Sequence, residues 1–245
     1  MSEKIKVLIN GAKGKMGAES VKAVEGATDM IVVGETDVGD DLEQEIKKHQ
    51  PEVVVDFTAP TCAMQNAEII ARSNAGGVIG TTGFTPEQIK KLQEQCSEKK
   101  PGIIIAPNFA IGALLMMHCS KIIAKYMPEV EIIELHHPGK KDAPSGTAIK
   151  TAEMIAEERN ENVPRGTFEG GARGELFSNI PVHSVRLPGF LAHQEVIFGC
   201  EGQTLSLRHD SINRSCFMPG VLLGIREVMK INGLVYGLDK ILFGK

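Results

Sequence analysis

Residues 134–147 hold the side chains in this sequence that are best suited to acid–base chemistry. His136 and His137 are followed by Lys140 and Lys141, and the stretch closes on the turn-forming residues 142–147, Asp-Ala-Pro-Ser-Gly-Thr. Histidine can hold or give a proton near neutral pH, and lysine presents a cationic head with three donors. Together they suit an acidic ligand that also has to exchange a proton.

The flanking sequence predicts how this stretch is positioned. The apolar run 130–135 predicts a strand, and the apolar spacing over 147–159 predicts a helix. The stretch would then join a strand to the N-terminus of a helix. Free N–H groups at Ser145, Gly146 and Thr147 would attract a carboxylate or phosphate, and Gly146 would keep side-chain bulk away from them.

A second interpretation is a solvated basic loop followed by a capped helix, which is what most lysine-rich loops are. The rigid turn chemistry next to the proton-carrying groups favours the functional interpretation. Within the stretch, we expect Lys141 to face solvent and Asp142 to pin the turn. Because adjacent side chains such as His136 and His137 diverge, we expect no metal site.

Composition excludes several function classes. The chain has 245 residues, 42% hydrophobic residues and a net charge of −4, which argues against a general nucleic-acid binder. No apolar run approaches the roughly 20 residues that span a bilayer, and the charged start does not resemble a signal peptide. The five cysteines are scattered without a CxxC pair, so neither disulfides nor zinc are indicated. These features predict a cytoplasmic protein.

The N-terminal region has the pattern of a dinucleotide-binding unit. A strand over 6–10 runs into the glycine turn 11–17 with spacing GxxGxxG, and a helix follows. Such a turn can also be purely structural. However, Glu35 ends a second strand 18 residues after Gly17, where an acid can bind the adenosine ribose hydroxyls.

The alternation continues and predicts a doubly wound parallel sheet of α/β class. The predicted strands are 52–57, 77–80 and 102–106, and the predicted helices are 67–72 and 85–99. Loops 11–17, 80–83 and 106–109 all follow strands of this sheet. They should therefore meet at its carboxyl edge, where such sheets bind ligands.

The rest of the chain predicts a second domain of α+β class with an open mixed sheet. Its predicted elements are a helix over 111–126, the stretch 134–147 with its flanking strand and helix, a glycine-rich loop over 160–179, and strands over 182–187, 194–198 and 204–209. Short connections predict that these last three strands form antiparallel hairpins. A helix over 218–230 and a strand over 234–236 would return to the first domain. We therefore predict a Rossmann-like dinucleotide-binding domain, 1–110 and 215–245, and a substrate-binding and oligomerisation domain, 111–214.

The block from Glu134 to Ala148 closely resembles the signature of the 4-hydroxy-tetrahydrodipicolinate reductases, also called dihydrodipicolinate reductases, of the lysine and diaminopimelate pathway. The HHxxKxDAPSGTA-type pattern is very specific, and the resemblance extends over essentially the whole chain. Further matching segments are 11–17, 80–84, 107–109 and 183–189.

The resemblance implies that the chain reduces a cyclic imine dicarboxylate with NADH or NADPH and releases water, without a metal. It implies that His136 donates and accepts a proton, that Lys140 donates one, and that His137, Ser145, Gly146 and Thr147 contact the substrate. The implied cofactor contacts are Gly11, Ala12, Lys13, Gly14, Lys15, Met16, Glu35, Gly80, Thr81, Thr82, Ala106, Pro107, Asn108 and Phe109. It also implies a homotetramer assembled through the sheets of the second domain.

Cofactor choice and two rival interpretations stay open at this stage. Many family members follow the ribose-binding acid with a basic residue, whereas Thr36 and then Asp37 follow Glu35 here. Two acids would repel the 2′-phosphate of NADPH, although Lys13 and Lys15 could compensate, so we expect NADH to be used at least as well. The rivals are another two-domain dehydrogenase, such as an amino-acid dehydrogenase, and a dinucleotide-sensing binding protein. The specific 134–147 block disfavours both.

Overall fold

A computed structural model describes residues 3–159 and 171–244 of the chain. The chain folds into two compact units. The first comprises Met1–Ala110 and Arg214–Lys245, and the second comprises Ile111–Asn213.

The first unit contains a six-stranded parallel sheet. Its strands are β1 (Ile5–Asn10), β2 (Met30–Thr36), β3 (Val53–Asp56), β4 (Gly76–Ile79), β5 (Ile103–Ile105) and β11 (Leu234–Tyr236). Its helices are α1 (Lys15–Gly26), α2 (Leu42–His49), α3 (Pro60–Arg72), α4 (Pro86–Gln95), α7 (Met218–Val228) and α8 (Asp239–Phe243), with a short 3-10 helix at Arg214–Phe217. The strand order is β11-β5-β4-β3-β1-β2, and all paired strands are parallel. The prediction of a doubly wound α/β fold is confirmed.

The central strands are mainly apolar because both faces of the sheet are covered. Val53, Val54 and Val55 have no exposed surface, and neither have Ile103 and Ile104. The turn after β1 and the loops after β4 and β5 lie at the carboxyl ends of parallel strands. They therefore share one edge of the sheet, as the sequence predicts.

In the first unit, two helices differ from the sequence-based prediction and one predicted strand is confirmed. Helix α2 was not predicted, and α3 begins at Pro60 rather than near residue 67. The predicted return of strand 234–236 is confirmed, because β11 pairs with β5.

The second unit is built on a five-stranded mixed sheet. Its strands are β6 (Glu129–His136), β7 (Glu175–Phe177), β8 (Ile180–Arg186), β9 (Ala192–Cys200) and β10 (Gln203–Ser211), and its helices are α5 (Ile111–Ile123) and α6 (Gly146–Glu158). The strand order is β10-β9-β6-β8-β7. The predicted hairpin between β9 and β10 is confirmed.

The predicted hairpin between β8 and β9 is wrong. Strand β6 lies between them, antiparallel to β9 and parallel to β8. Parallel neighbours need a crossover connection, and α6 supplies one between β6 and β8. As a result the carboxyl ends of β6 and β8 lie side by side, with His136 opposite Arg186.

The predicted 160–179 loop is only partly described. Residues 160–170 lie outside the described part of the chain. Residues 171–177 are not a plain loop, because a 3-10 helix covers Gly171–Arg173 and β7 pairs with β8. Additional hydrogen-bonded structure of this kind is not visible in a glycine-rich composition.

Burial alternates along the sheet of the second unit. On β6, Val130, Ile132 and Glu134 are buried, whereas Glu131 and Ile133 are half-buried on the opposite face. Helices α5 and α6 pack together, and both contact the sheet. Within this unit one face of the sheet is therefore covered by helices and the other stays open, as predicted for an open mixed sheet.

Candidate active site

The predicted catalytic stretch connects the end of β6 to the start of α6. His136 is the last residue of β6, and α6 begins at Gly146. Ser145 caps α6, with its side chain accepting a hydrogen bond from the Ala148 N–H at 3.2 Å. The strand thus ends on the predicted proton carrier, and the helix starts at the predicted anion site.

Lys140 is tied into the loop by two contacts. Its Nζ donates to Asp142 Oδ2 at 2.9 Å, and its backbone N–H donates to the His137 carbonyl at 3.1 Å. The hydrogen bond from Lys140 lowers the pKa of Asp142 below its ordinary value. Lys141 is exposed. Asp142 therefore pins the loop through Lys140, and Lys141 faces solvent, as expected.

The start of α6 opens onto free space. A Cβ built on Gly146 would meet no atom within 4 Å. Thr147 is half-buried and His137 is exposed, whereas Ser145 is only 3% exposed because its hydroxyl is used as the helix cap. The first N–H groups of α6 are therefore approachable, while the Ser145 side chain is committed to the helix.

Sequence reasoning assigned no role to the acid two residues before His136. Glu134 has no exposed surface, and Arg186 binds it through two parallel hydrogen bonds: Nη2 to Oε1 at 2.7 Å and Nη1 to Oε2 at 2.9 Å. Glu134 also forms a hydrogen bond with Nδ1 of His136. Burial alone would raise the Glu134 pKa, but hydrogen bonds from His136, Arg186 and Ser184 outweigh burial and lower it to about 2.

One signal for this cluster was present in the sequence. Glu134 occupies the same strand phase as the apolar Val130 and Ile132, so an acid there must be buried. A buried carboxylate needs a cation or several donors. The donor, Arg186, is 52 positions further on, and only the parallel pairing of β6 with β8 brings it close.

In the first unit, the glycine turn after β1 has the backbone geometry that its glycines predict. Gly11 adopts a positive φ of 83°, and a Cβ on Gly17 would lie 2.0 Å from the Gly11 carbonyl oxygen. Gly14 caps α1 without any side-chain hydrogen bond, and no acidic residue stands in the first turn. Such an uncapped helix start suits the phosphates of a dinucleotide. Around the turn, Lys13 and Lys15 are exposed, Met16 is half-buried and Ala12 is buried.

The acid that contacts this turn is Asp37. Its carboxylate accepts hydrogen bonds from the N–H of Val38 and of Lys13, each at 2.8 Å, and these contacts lower the Asp37 pKa. Glu35 lies within β2, paired with Ile9, and its side chain is exposed. Glu35 makes no hydrogen bond to the turn among the described residues.

A buried polar network, not anticipated from the sequence, joins the strand ends at this edge. Asp56 has no exposed surface and accepts hydrogen bonds at both carboxylate oxygens. The donors are Asn10 (2.7 Å), Asn66 (2.8 Å), the Thr58 hydroxyl (2.9 Å) and N–H (3.2 Å), and Thr81 (2.6 Å). Thr36 extends the network by donating to Asn10 at 2.8 Å. The ends of β1, β2 and β3 and the loop after β4 are thereby held together.

The other predicted cofactor contacts lie at the same edge. A Cβ on Gly80 would lie 2.0 Å from the Phe57 ring, which packs edge-on against Phe109 at 5.7 Å between centroids. Thr81 and Phe109 are buried, whereas Thr82 and Pro107 are exposed. Ala106 is buried, and the half-buried Asn108 accepts a hydrogen bond from the Ala110 N–H at 2.9 Å. Backbone and small side chains thus form the surface of these loops.

The described residues give no support for a metal site or a membrane span. No group of three or more histidine, cysteine, aspartate or glutamate side chains in ranges 3–159 and 171–244 could hold a metal ion. Over the same ranges, every helix is too short or too polar to cross a membrane.

Comparison with known families decides the identity. The sequence model of the N-terminal part of dihydrodipicolinate reductase matches residues 5–109, and that of the C-terminal part matches residues 112–242. The chain belongs to the dihydrodipicolinate reductase family. The predicted family, fold class and oxidoreductase activity are confirmed.

Individual relatives agree with this membership. The chain is 51% identical to 4-hydroxy-tetrahydrodipicolinate reductase of Coxiella burnetii over 238 residues, which is 97% of this chain and 99% of the relative. It is 49% identical to the enzyme of the same name from Mycolicibacterium smegmatis, with 97% and 99% coverage. The solved structure of a dipicolinate-bound dihydrodipicolinate reductase from a Paenisporosarcina species matches with TM-score 0.86 and 44% identity, covering 97% of this chain and 99% of that one. The predicted function, reduction of 4-hydroxy-tetrahydrodipicolinate, is confirmed by these relatives.

Proposed function

We propose that the chain reduces 4-hydroxy-tetrahydrodipicolinate with NADH or NADPH, using His136 and Lys140 as proton carriers and the start of α6 as the carboxylate site. The observation that carries the proposal is their arrangement: a half-buried histidine at the end of β6, a lysine in the following loop, and an open helix start directly after it. In the overall reaction the ring gains a hydride and a proton and loses water, which yields tetrahydrodipicolinate and the oxidised cofactor.

The helix start supplies electrostatic binding. A dicarboxylate approaching Gly146 and Thr147 would meet backbone N–H groups and the positive end of the α6 dipole without steric hindrance. Charge-assisted hydrogen bonds of this kind contribute roughly 1.5–3 kcal/mol each. His137, exposed on the same loop, is placed as a further contact. The dipicolinate-bound relative supports a ring dicarboxylate as the ligand class.

Proton transfer is assigned to the two residues that carry a mobile proton beside this site. Lys140 is half-buried and its ammonium already donates to one carboxylate, that of Asp142, so it can donate to another. His136 presents one ring nitrogen to Glu134, which leaves Nε2 for the substrate. Bound NADH or NADPH supplies the hydride. A positioned acid typically contributes about 10²–10⁴-fold to the rate.

Lys140→Ala tests the assignment, with Lys141→Ala as the matched control on the next residue. We expect Lys140→Ala to lower kcat by about 10²-fold or more while the NADH dissociation constant stays unchanged. Lys141→Ala should leave both quantities unchanged, since Lys141 faces solvent. Equal losses of turnover and NADH binding in Lys140→Ala would refute the proton-donor role.

We further propose that Asp37, rather than Glu35, is the acid that binds the adenosine ribose. Asp37 reaches the glycine turn through Lys13, whereas Glu35 makes no such contact in the described chain. A carboxylate at this point favours ribose hydroxyls and repels a 2′-phosphate, so NADH should be used at least as well as NADPH.

The pair Asp37→Asn and Glu35→Gln separates the two candidates. Asp37→Asn should raise the KM for NADH roughly tenfold or more and reduce the preference over NADPH. Glu35→Gln should change neither value. The opposite pattern would return the role to Glu35.

Assembly and location complete the proposal. The open face of the second unit's sheet carries half-buried apolar residues such as Ile133 and Ile197 beside charged ones, which suits contact with further copies of the chain. We expect a cytoplasmic homotetramer, with a light-scattering mass about four times the 26.5 kDa of one chain. A monomeric mass at micromolar concentration would refute the tetramer.

A further inference from the structure

Strand pairing brings Glu134, His136 and Arg186 together on one face of the second unit's sheet. Glu134 and His136 are two positions apart on β6, so their side chains point to the same side. In the parallel register, His136 lies opposite Arg186 and Glu134 lies opposite Ser184. Glu134 is completely buried, and the His136 side chain is 11% exposed.

Arg186 connects the buried carboxylate to the loop that carries Lys140. Its two terminal nitrogens hold Glu134 at 2.7 and 2.9 Å, and Nη2 also donates to the Asp142 carbonyl at 2.8 Å. Asp142 in turn accepts from Lys140. One guanidinium thus fixes the position of both proton-carrying segments relative to Glu134.

The charge state of Glu134 determines what His136 can do. Burial opposes ionisation, but the donors His136, Arg186 and Ser184 lower the Glu134 pKa to about 2, so the group is a carboxylate at neutral pH. A carboxylate accepts hydrogen bonds and donates none. Nδ1 of His136 must therefore carry the hydrogen in the contact with Glu134.

We infer that Glu134 is a positioning residue of the reductase: it keeps His136 protonated at Nδ1 and so makes Nε2 the atom that exchanges a proton with the substrate. Arg186 serves this role by orienting the carboxylate and anchoring the adjoining loop. The inference rests on the proposed function insofar as His136 is taken to exchange a proton with the substrate. A buried acid that fixes the tautomer of a catalytic histidine is known to control turnover in serine proteases.

Glu134→Gln should disturb this arrangement while preserving side-chain volume. Arg186 donates to both carboxylate oxygens of Glu134, so the amide NH2 of the new side chain must face one of the Arg186 donors. The two parallel hydrogen bonds cannot both persist, and His136 loses the negative charge beside Nδ1. The preference of His136 for the hydrogen on Nδ1 should therefore weaken, and a larger share of the rings should carry it on Nε2, the nitrogen assigned to the substrate.

The test combines nitrogen NMR with kinetics. In protein labelled with ¹⁵N-histidine and titrated from about pH 6 to pH 9, the neutral His136 ring should be protonated at Nδ1 in the wild type, and the fraction protonated at Nε2 should rise in Glu134→Gln. The same variant should lose about 10²-fold or more in kcat, with KM for the dicarboxylate and the NADH dissociation constant nearly unchanged.

Glu131→Gln is the matched control, because Glu131 lies on the same strand and its carboxylate contacts a different histidine, His183, at 2.8 Å. It should leave kcat and the His136 tautomer unchanged. A Glu134→Gln enzyme with full kcat, or a wild-type His136 protonated at Nε2, would overturn the inference. The wild-type spectrum decides the second point even if the variant does not fold. A wild type that binds NADH but reduces no substrate would instead refute the proposed function.

Discussion

The ionised, buried Glu134 should make the stability of this protein depend on pH in a defined acidic range. Its pKa falls from an ordinary 4.5 to about 2 on folding, because hydrogen bonds from His136, Arg186 and Ser184 outweigh its burial. A shift of this size corresponds to about 3 kcal/mol of folding free energy. Since the folded-state pKa is the lower one, this contribution is fully present above pH 4.5 and is lost as pH falls towards 2.

The magnitude can be measured against Glu134→Gln, which lacks the titrating group. Linkage predicts that wild type loses about 1 kcal/mol relative to the variant between pH 7 and pH 4, and about 2 kcal/mol by pH 3. Because the chain has no tryptophan and two tyrosines, urea unfolding is best followed by circular dichroism at each pH. A free-energy difference that stays constant from pH 7 to pH 3 would refute the reasoning.

Three further substitutions, two of them paired with a matched control, test the geometry of the two units. Gly17→Ala should cost more than about 2 kcal/mol and abolish NADH binding, because its Cβ would lie 2.0 Å from a backbone oxygen, whereas Gly26→Ala, with no atom within 4 Å, should cost nothing. Asp56→Asn should cost about 1–3 kcal/mol and weaken NADH binding, since its amide NH2 would face two buried donors. Ser145→Ala should cost about 1 kcal/mol and weaken dicarboxylate binding, whereas Thr85→Ala, which removes the cap of α4, should cost a similar amount and leave that binding intact.

Each of these predictions has a result that contradicts it. Equal unfolding free energies and equal NADH affinities for Gly17→Ala and Gly26→Ala would contradict the first prediction. Wild-type stability in urea and wild-type NADH affinity for Asp56→Asn would contradict the second prediction. Loss of dicarboxylate affinity in the Thr85 variant, or its retention in the Ser145 variant, would disconnect the α6 cap from ligand binding.

Local patterns sufficed for much of the fold and for the centre of the site. The strand, glycine turn and helix over 5–26 could be predicted because each step depends on neighbouring residues. The same holds for His136, Lys140 and the start of α6, which lie within a dozen positions of one another. Helix α2 was not predicted because it has only two buried apolar residues, Leu42 and Ile46, which is too few to show a helical period. Its remaining signals were an Asp41 cap and acidic residues preceding basic ones.

What the sequence could not supply were relations between distant segments. The insertion of β6 between β8 and β9 is set by the crossover through α6, not by the short connection between β8 and β9. The pairing of Glu134 with Arg186 follows from that strand order. Likewise, Asp56 looks like a plain strand end in the sequence. Its five donor groups come from Asn10, Thr58, Asn66 and Thr81, which belong to four separate segments of the chain.

Reduction of 4-hydroxy-tetrahydrodipicolinate with a nicotinamide cofactor can be measured directly. The most direct measurement is the initial rate of NADH and of NADPH oxidation when that substrate is generated in situ from pyruvate and aspartate semialdehyde. We expect rapid oxidation that depends on the substrate, with NADH used at least as well as NADPH. Absence of oxidation with either cofactor, by a folded protein that still binds NADH, would contradict it.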